Sequence, residues 1–332
     1  MDTKQNVTFS VIMPCYNSQS YVRGALQSIV EQTYPHWELI AVNDGSTDDT
    51  LSILNDYATA DSRIKVFSKP NGGYISAVNL GLEKITGDYF LLIGSDDAFG
   101  TDLFHSLAQV SGNPDVIAFR SVIVQDGVVQ GVERITNFSE RVSEFGTSLA
   151  AFSANHPGTS DILFTRDTSK CYKRSLLGDL RYFGRYGYDA DGIFSMLLCH
   201  NATSFAAIPV DGYYWTLRGD SLSGRKSFYL QDCDRVENWT RFYAILLDLD
   251  TAQIAKAEKE YLYYYLGILQ DTWKVKKPFL GFYTGIKAAA ATICKVMKKT
   301  GFRPDLDRGT RLMLHFPLLW KLLHFLKKIL RK

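Results

Sequence analysis

The chain of 332 residues is 46% hydrophobic and 22% charged, so it can bury a substantial core and has neither a disordered nor a fibrous composition. Its formal net charge of +2 is unevenly divided, because the segment from Lys274 to Lys332 carries +13 and the residues before it carry −11. The five cysteines are scattered without a C-x-x-C pair, the N-terminus has no apolar leader, and no apolar run reaches the length of about 18 residues that a membrane span needs. Together these features favour a cytosolic protein with reduced thiols over a secreted or membrane-spanning one.

Strands and helices alternate through the first 93 residues. A β-rich run over 7–13 is the first strand, and we expect Pro14 to end it because proline cannot donate to the ladder of a central strand. The elements that follow are a helix over 20–32, a strand over 37–42, a helix over 50–59 capped by Ser46 or Thr47, a strand over 64–67, a helix over 75–84 and a strand over 89–93. This alternation predicts an α/β fold with a mainly parallel central sheet and flanking helices, and ligands bind such sheets beyond the carboxyl ends of the strands.

The second half of the chain has fewer regular patterns. Its predicted elements are a hairpin of strands over 116–124 and 128–135, a helix over 189–199, a short strand within 206–217 and mostly helices from about residue 227. We therefore expect an α/β domain over residues 1–225 and a helical C-terminal extension over residues 226–332.

The last residues of the chain form a basic amphipathic pattern. Beyond Pro317, at about 100° per residue, the Leu, Phe and Ile side chains share one face of a helix, and Lys321, Lys327 and Lys328 lie on the opposite strip. Such a helix can lie in the headgroup plane of an anionic membrane, and the alternative is a helix that packs on its own domain. We expect the first arrangement, with the protein peripherally bound to the inner leaflet at the cytoplasmic face of the membrane.

Two adjacent carboxylates, Asp96 and Asp97, follow the apolar strand over 89–93. Carboxylates delivered by a buried strand suit a hard divalent cation and the phosphate oxygens that it carries. An isolated Asp pair is also common in turns and helix caps, so the pair alone leaves both interpretations open.

Four segments in register closely resemble the family 2 glycosyltransferases with the GT-A fold. They are Val11–Asn17 (VIMPCYN), Leu39–Asp48 (LIAVNDGSTD), Asn71–Gly73 (NGG), and Gly87–Tyr89 (GDY) running into Ser95–Asp97. The resemblance is close over residues 7–105 and looser to about residue 223. It implies a Rossmann-like fold and an inverting, metal-dependent hexosyl- or N-acetylhexosaminyl-transferase that uses a nucleoside-diphosphate sugar, with UDP as the nucleotide this family uses most often.

The resemblance also assigns roles to residues of the donor site. Pro14, Tyr16 and Asp44 would contact the nucleoside, with Asp44 accepting a hydrogen bond from the base. Asp97 would ligate Mn²⁺ or Mg²⁺ directly, and Asp96 would lie near both the ribose and the metal. The other residues expected to bind the donor are Asn17, Asn71, Gly72 and Arg218, of which Arg218 would clamp the diphosphate or, alternatively, form a surface ion pair.

Asp191 takes the place where the family carries its general base, at the start of a helix that faces the sugar. It would accept the proton of the acceptor hydroxyl, although a helix cap is the plainer interpretation. Three positions depart from the family pattern: Gly94 where many members have a further acid, Val78 where Arg is common, and Ala190 where Glu is usual. None of them removes the expected metal ligand or the base, so we expect an active enzyme.

The substrates and the competing functions are less sharply defined. A glycan or lipid-linked acceptor, in the assembly of a cell-surface polysaccharide, is what the resemblance and the basic tail imply together. A catalytically silent nucleotide- or glycan-binding protein of the membrane surface and a nucleotidyltransferase are the alternatives. A dinucleotide oxidoreductase is disfavoured because no G-x-G-x-x-G follows the first strand, and we expect no nucleic-acid partner.

Overall fold

The computed structural model describes residues 6–110, 112–133, 166–183 and 189–218, the backbone of 143–146, and short helical pieces at 290–292, 294–295 and 297–298. The predicted helical extension, apart from those pieces, and the basic tail lie outside the described residues, as does the boundary expected near residue 225. Within the described ranges, no helix combines the length and the apolar character that a membrane crossing requires.

The elements follow one another in an order that begins with three strand–helix units. They are β1 (Phe9–Cys15), α1 (Val22–Val30), β2 (Trp37–Asn43), α2 (Thr50–Ala60), β3 (Ile64–Ser68), α3 (Tyr74–Lys84), β4 (Tyr89–Leu92), β5 (Ala98–Phe99), α4 (Leu103–Ala108), β6 (Val116–Gln125), β7 (Val128–Glu133), β8 (Ser143–Gly146), β9 (Lys170–Lys173), a 3₁₀ turn (Arg174–Leu176), α5 (Ala190–Asn201) and β10 (Ser204–Leu217).

The described strands form one sheet in the order β3-β2-β1-β4-β9-β6-β10-β5, with β7 beside β6 and β8 beside β10. The first four strands pair in parallel, as the alternation of strands and helices predicts. Among the described strands of the second half, β6 and β10 pair in parallel. The strands β9, β7, β8 and β5 run antiparallel to the strands beside them. The predicted hairpin is confirmed as β6–β7, and the α/β architecture is confirmed as a whole.

The core lies on both faces of the parallel half of the sheet. All seven residues of β2 are buried, and so are all four of β4, which is typical of strands covered by helices on both sides. Helix α1 buries Val22, Ala25, Leu26 and Ile29, the spacing of one helical face. Full burial of one such leucine stabilises the fold by roughly 1.5–3 kcal/mol, so this face holds α1, and the loop before it, against the sheet.

Two local predictions were wrong. Pro14 does not end β1, because it remains in the strand opposite Val42; the ladder with β4 stops at Ile12, so at Pro14 only one flank of the strand is paired. Neither Ser46 nor Thr47 caps α2. The amide of Thr50 donates to Asp48 Oδ1 at 3.0 Å instead, since Asp48 is closer to the start of the helix.

Candidate active site

The Asp97 side chain lies in the turn after β4 and is held by β10. Only 8% of the residue is exposed. The Tyr213 hydroxyl donates to Asp97 Oδ2 at 2.6 Å, and the Thr216 amide donates to Asp97 Oδ1 at 2.7 Å. Burial, together with the neighbouring charge of Asp96, raises the pKa of Asp97 to about 7, although the two hydrogen bonds act in the opposite direction. Each oxygen keeps a second lone pair for a further partner.

The Asp96 carboxylate is paired with Arg218, the residue that follows β10. Arg218 Nε lies 3.0 Å and Arg218 Nη2 2.7 Å from Asp96 Oδ2. The flat face of the guanidinium rests on the Tyr21 ring, 3.9 Å from its centroid, in a cation–π contact. The structure thus brings Arg218 to the carboxylate pair, and it is partly buried rather than part of an open surface ion pair.

Gly94 explains how the two carboxylates fit together. A Cβ atom at this position would lie 2.5 Å from Asp97 Oδ2 and 2.9 Å from Asp96 Oδ1, so both side chains fold back over the glycine. Its amide donates to the Tyr213 hydroxyl at 3.2 Å. The departure from the family pattern at Gly94 is therefore matched by the packing of the acids beside it.

Asp44 organises the turn between β3 and α3. Its carboxylate is buried and accepts hydrogen bonds from the amides of Gly72 and Gly73 at 2.9 and 2.8 Å and from Lys69 Nζ at 2.6 Å. Three of its four lone-pair positions are thus used within the protein, and one remains for a ligand. Asn71 lies exposed in the same turn.

The loop after β1 faces the same edge of the sheet. The Tyr16 side chain is 52% exposed, an unusual exposure for a large aromatic ring, and it can offer a flat face to a nucleobase. Asn17 takes a left-handed backbone (φ 48°), accepts from the Thr47 amide at 2.8 Å and donates its own amide to Ser46 Oγ at 3.1 Å. The hydroxyls of Ser18 and Ser95 lie 2.7 Å apart and tie this loop to the Asp96–Asp97 turn.

Asp191 lies in the first turn of α5, two residues after Asp189, whose backbone is left-handed (φ 57°). Burial raises the pKa of Asp191 to about 6, and the neighbouring charge of Asp189 adds to the rise. A carboxyl group with a pKa near 6 is ionised at neutral pH and can still hold a proton briefly, which is what a general base needs.

A second buried acid beside Asp191 was missed by the sequence reasoning. Asp167 is 1% exposed, accepts a hydrogen bond from the Tyr182 hydroxyl, and has a pKa raised to about 7 by burial and by the charge of Asp191. Lys170, equally buried, donates to the Arg166 carbonyl. The available signal was a pair of opposite charges three residues apart at the start of a buried strand, β9.

Tyr74, the first residue of α3, meets the ring of Tyr182 edge-on, with the ring centroids 6.2 Å apart. Its pKa is raised well above the usual value by burial and then by the charges of Asp167 and Asp191, with a smaller contribution from Asp97. The contacts agree with this: β9 runs antiparallel to β4, so Asp167 lies at the edge of the sheet where β4 ends, and Tyr182 joins Asp167 to Phe194 of α5. Val78, four residues further along α3, is fully buried and belongs to the core.

The acids at the end of β4 fit a divalent cation whose remaining ligands come from elsewhere. Among the described residues there is no cluster of three or more His, Cys, Asp or Glu side chains that could hold a metal. Two adjacent carboxylates with lone pairs left over are what Mg²⁺ commonly takes from a protein, since phosphate oxygens and water complete its octahedron. The donor set is thus suited to a cation that arrives with a diphosphate.

Comparison with known proteins agrees with this geometry. An uncharacterized glycosyltransferase of Haemophilus influenzae is 43% identical over 94 residues, which are 28% of this chain and 38% of that protein. The putative teichuronic acid biosynthesis glycosyltransferase TuaG of Bacillus subtilis is 42% identical over 94 residues, 28% of this chain and 37% of TuaG. The matched part is therefore well under half the length of these curated relatives.

The same fold occurs in a solved structure. Residues 1–349 of S. aureus TarS, crystallised with UDP-GlcNAc, superpose with a TM-score of 0.72 at 24% identity, over 95% of this chain and 88% of that one. The family model Glycosyl transferase family 2 matches residues 10–181, more than half of the sequence. The chain therefore belongs to glycosyl transferase family 2 and has its GT-A fold.

Proposed function

We propose that the protein is an inverting, metal-dependent glycosyltransferase that moves a sugar from a UDP-sugar to a hydroxyl group of a glycan or lipid-linked acceptor. The observation that carries this proposal is that the residues after β4 and before β9, Asp97 and Asp167, lie at one edge of the sheet, because the two strands pair antiparallel. Asp167 is linked to the helix of Asp191 through Tyr182, which donates to Asp167 and stacks on Phe194 of α5. Asp97 suits a nucleoside diphosphate and its cation, and Asp191 suits an acceptor hydroxyl.

The donor would lie along the carboxyl edge of the parallel strands. The exposed Tyr16 ring can stack on the base, the remaining acceptor position of Asp44 can take a base N–H, and the amide-rich turn at Gly72 closes that side. Pro14 and Asn17 shape the loop that carries Tyr16, and Asn71 lies exposed beside it. The S. aureus protein with the same fold was crystallised with UDP-GlcNAc, so UDP-sugars are the first donors to test.

The carboxylates of Asp96 and Asp97 would hold Mg²⁺ or Mn²⁺, which when bound would neutralise charge on the diphosphate leaving group. Arg218 binds Oδ2 of Asp96, so Asp96 would contact the cation through Oδ1. The Arg218 guanidinium lies beside the carboxylate pair, where it would donate to phosphate oxygens of the bound diphosphate.

Asp191 would perform the proton transfer. Its carboxylate takes the proton of the acceptor hydroxyl while that oxygen forms a bond to the anomeric carbon. The bond from the anomeric carbon to the diphosphate breaks on the opposite side, so the configuration inverts. The electron pair of the broken bond stays with the nucleoside diphosphate, and the proton remains on Asp191 until solvent removes it.

A panel of nucleotide sugars tests the proposal. Release of UDP from each sugar is measured with Mn²⁺, with Mg²⁺ and with EDTA, in the wild type and in Asp97→Ala. We expect release from one UDP-sugar that EDTA abolishes and that Asp97→Ala lowers by about 10²-fold or more. UDP release that is unchanged by EDTA, or an Asp97→Ala enzyme as fast as the wild type, would contradict the proposed role of the metal. If none of the nucleotide sugars is turned over, the result would favour a catalytically silent binding protein.

A further inference from the structure

Helix α3 connects the candidate nucleoside turn to the segment that precedes α5. It begins at Tyr74, directly after the two glycine amides that Asp44 holds. It also packs closely on β1, because a Cβ atom at Gly81 would lie 2.4 Å from Ile12 Cγ2. Such close approach to a central strand leaves the helix little freedom to shift.

The Asn79 side chain, midway along α3, binds the backbone of Tyr182 on both sides. Asn79 Nδ2 donates to the Tyr182 carbonyl at 2.9 Å, and the Tyr182 amide donates to Asn79 Oδ1 at 2.9 Å. The amide group thus satisfies both polar groups of one residue that lies 103 positions away in the sequence. Asn is suited to this task because its side chain ends in one donor and one acceptor in a plane.

The ring of Tyr182, whose backbone Asn79 holds, packs against helix α5. It stacks on Phe194 with centroids 4.1 Å apart and an interplanar angle of 27°, and both rings are buried. Phe194 lies three residues after Asp191 in α5, so the two side chains share one side of the helix. At its other end the Tyr182 hydroxyl donates to Asp167, the acid in electrostatic contact with Asp191.

We propose that Asn79 and Tyr182 are positioning residues for Asp191: the side chain of Asn79 fixes Tyr182, and the ring of Tyr182 fixes the first turn of α5 at the acceptor side. This inference rests on the proposed role of Asp191 as the base. It adds that the base is set in place through α3, the helix that begins directly after the glycines bound by Asp44.

The consequence is a defect in turnover without a defect in donor binding. Among the described residues, neither Asn79 nor Tyr182 forms a hydrogen bond with the Asp44 turn or with the Asp96–Asp97 pair. The Tyr182 ring meets Tyr74, which follows that turn, only edge-on with the centroids 6.2 Å apart. A base displaced by about 1 Å loses on the order of 10²-fold in rate. Loss of the Asn79 bonds should therefore lower kcat by about 10- to 100-fold and leave UDP affinity unchanged.

The test compares Asn79→Ala and Tyr182→Leu with two controls in the full chain. Tyr182→Phe keeps the stacked ring, and Asn55→Ala removes the same amide group from an exposed position on α2. Three quantities are measured: kcat and KM for transfer, UDP affinity by calorimetry, and hydrogen–deuterium exchange of the α5 amides, among them Ile193, which donates to the Asp189 carbonyl at 3.0 Å.

We expect Asn79→Ala and Tyr182→Leu to lower kcat and to speed exchange in the first turn of α5, with UDP affinity retained. Tyr182→Phe should restore most of kcat, and Asn55→Ala should match the wild type. The double variant should be no slower than the slower single variant, since both residues act through one chain of contacts. If Asn79→Ala does not fold, Asn79→Asp, which keeps the size and loses the Nδ2 donor, replaces it.

Unchanged kcat and unchanged α5 exchange in Asn79→Ala would overturn the inference, and so would a loss of UDP affinity equal to the loss of kcat. The exchange measurement also separates this inference from the proposed function. If the wild type transfers no sugar at all, the proposed function fails. The α5 exchange then decides the positioning role alone: faster exchange in both variants supports it, and wild-type exchange rejects it.

Discussion

The lack of a side chain at Gly94 determines how the carboxylates of Asp96 and Asp97 are arranged. Both acids fold back over its Cα, with Asp97 Oδ2 only 2.5 Å from the place that a Cβ would occupy. A side chain here would have to push Asp97 away from Tyr213, which holds it at 2.6 Å. Glycine at this position therefore excludes the additional acid that many family members have there, and it allows Asp96 and Asp97 to pack closely together.

We predict that Gly94→Ala weakens the binding of UDP with Mg²⁺ by about tenfold, roughly 1.4 kcal/mol, because the displaced carboxylates no longer share the cation. Calorimetry measures the affinity, and circular dichroism checks the fold. The matched control is Gly24→Ala in α1, where nothing lies within 4 Å of the new methyl group. That variant should bind like the wild type and gain about 0.4–1 kcal/mol of stability from reduced chain entropy. Equal binding by both variants would contradict the account of Gly94.

The raised pKa of Asp191 predicts the pH dependence of transfer. Its pKa is about 6, and only the ionised carboxylate can accept a proton, so log kcat should rise with pH up to about 6 and level off above it. Measurement of kcat at saturating donor between pH 5 and 8 checks this, with UDP affinity followed in parallel. A rate that is flat over the range, or that falls as the pH rises through 6, argues against Asp191 as the base.

Single residues were predictable from the sequence where they follow a strand in a local pattern. Asp44 and Asp97 follow strands and Asp191 lies in the first turn of a helix, so their place in the fold could be predicted. Tyr213 and Asp167 could not, because their roles depend on partners in distant strands: Tyr213 meets Asp97 across 116 positions of sequence. The local hydrophobic periodicity of the sequence does not predict contacts between residues so far apart in the chain.

Among the elements, β10 does most to assemble the site. It runs from Ser204 to Leu217, pairs with β6, β5 and β8, and brings Tyr213 and Thr216 to Asp97. The sequence predicts only a short strand here, since Pro209 and Gly212 interrupt the β pattern. In the structure the register of β10 against β6 shifts between Ala207 and Tyr213. This irregularity accommodates Pro209 and Gly212 without ending the strand.

A buried polar network around Glu38 lies at the end of the parallel strands opposite to the candidate site. Glu38 in β2 accepts from Ser10 Oγ at 2.7 Å, from the Thr86 amide at 2.6 Å and from Lys65 Nζ at 2.7 Å. Burial alone would raise the pKa of Glu38, but the bonds to Lys65, Ser10 and Thr86 outweigh it and lower the pKa to about 2. The network joins β1, β2 and β3 to the residues that lead into β4, and so holds the parallel strands in register.

We predict that Glu38→Gln lowers the free energy of unfolding by about 1–3 kcal/mol at pH 7, because it leaves buried donors without a charged acceptor. The folded pKa lies below the usual value near 4.5, so this stabilisation is present above about pH 4.5 and is lost as the pH falls toward 2. Urea unfolding of both proteins between pH 3 and 7 measures the difference. It should shrink on acidification; a difference that stays constant or grows would refute the network's role.

At the scale of the whole molecule, the parallel half of the fold followed from the sequence, whereas in the second half the β6–β7 hairpin and α5 were predicted but the pairing of the other strands was not. Strand–helix alternation constrains the first four strands, because right-handed crossovers leave few arrangements. The antiparallel strand β9 pairs with β4 and β6 over long stretches of sequence, and alternation does not specify such pairing. The mixed half nevertheless supplies Arg218, Tyr213 and Asp167, so the part that was harder to predict completes the site.

The charge asymmetry concerns the whole molecule as well. Residues 274–332 carry +13 and the rest of the chain −11, so the tail is suited to an anionic surface that would repel the body. We predict that the full chain co-sediments with vesicles containing anionic lipid and that a chain ending at Asp307 does so at least about tenfold less. Neutral vesicles are the control. Equal sedimentation of the two chains would show that the tail does not anchor the protein.

The central claim is that two separate acids divide the work, Asp97 on the donor side and Asp191 on the acceptor side. Its most direct test is Asp191→Asn, which keeps the size of the side chain and removes the base. With the UDP-sugar found in the donor screen, we predict that transfer falls by about 10²–10⁴-fold while UDP binding with Mg²⁺ stays within about twofold of the wild type. Transfer at the wild-type rate, or a loss of UDP affinity as large as the loss of transfer, would contradict the account.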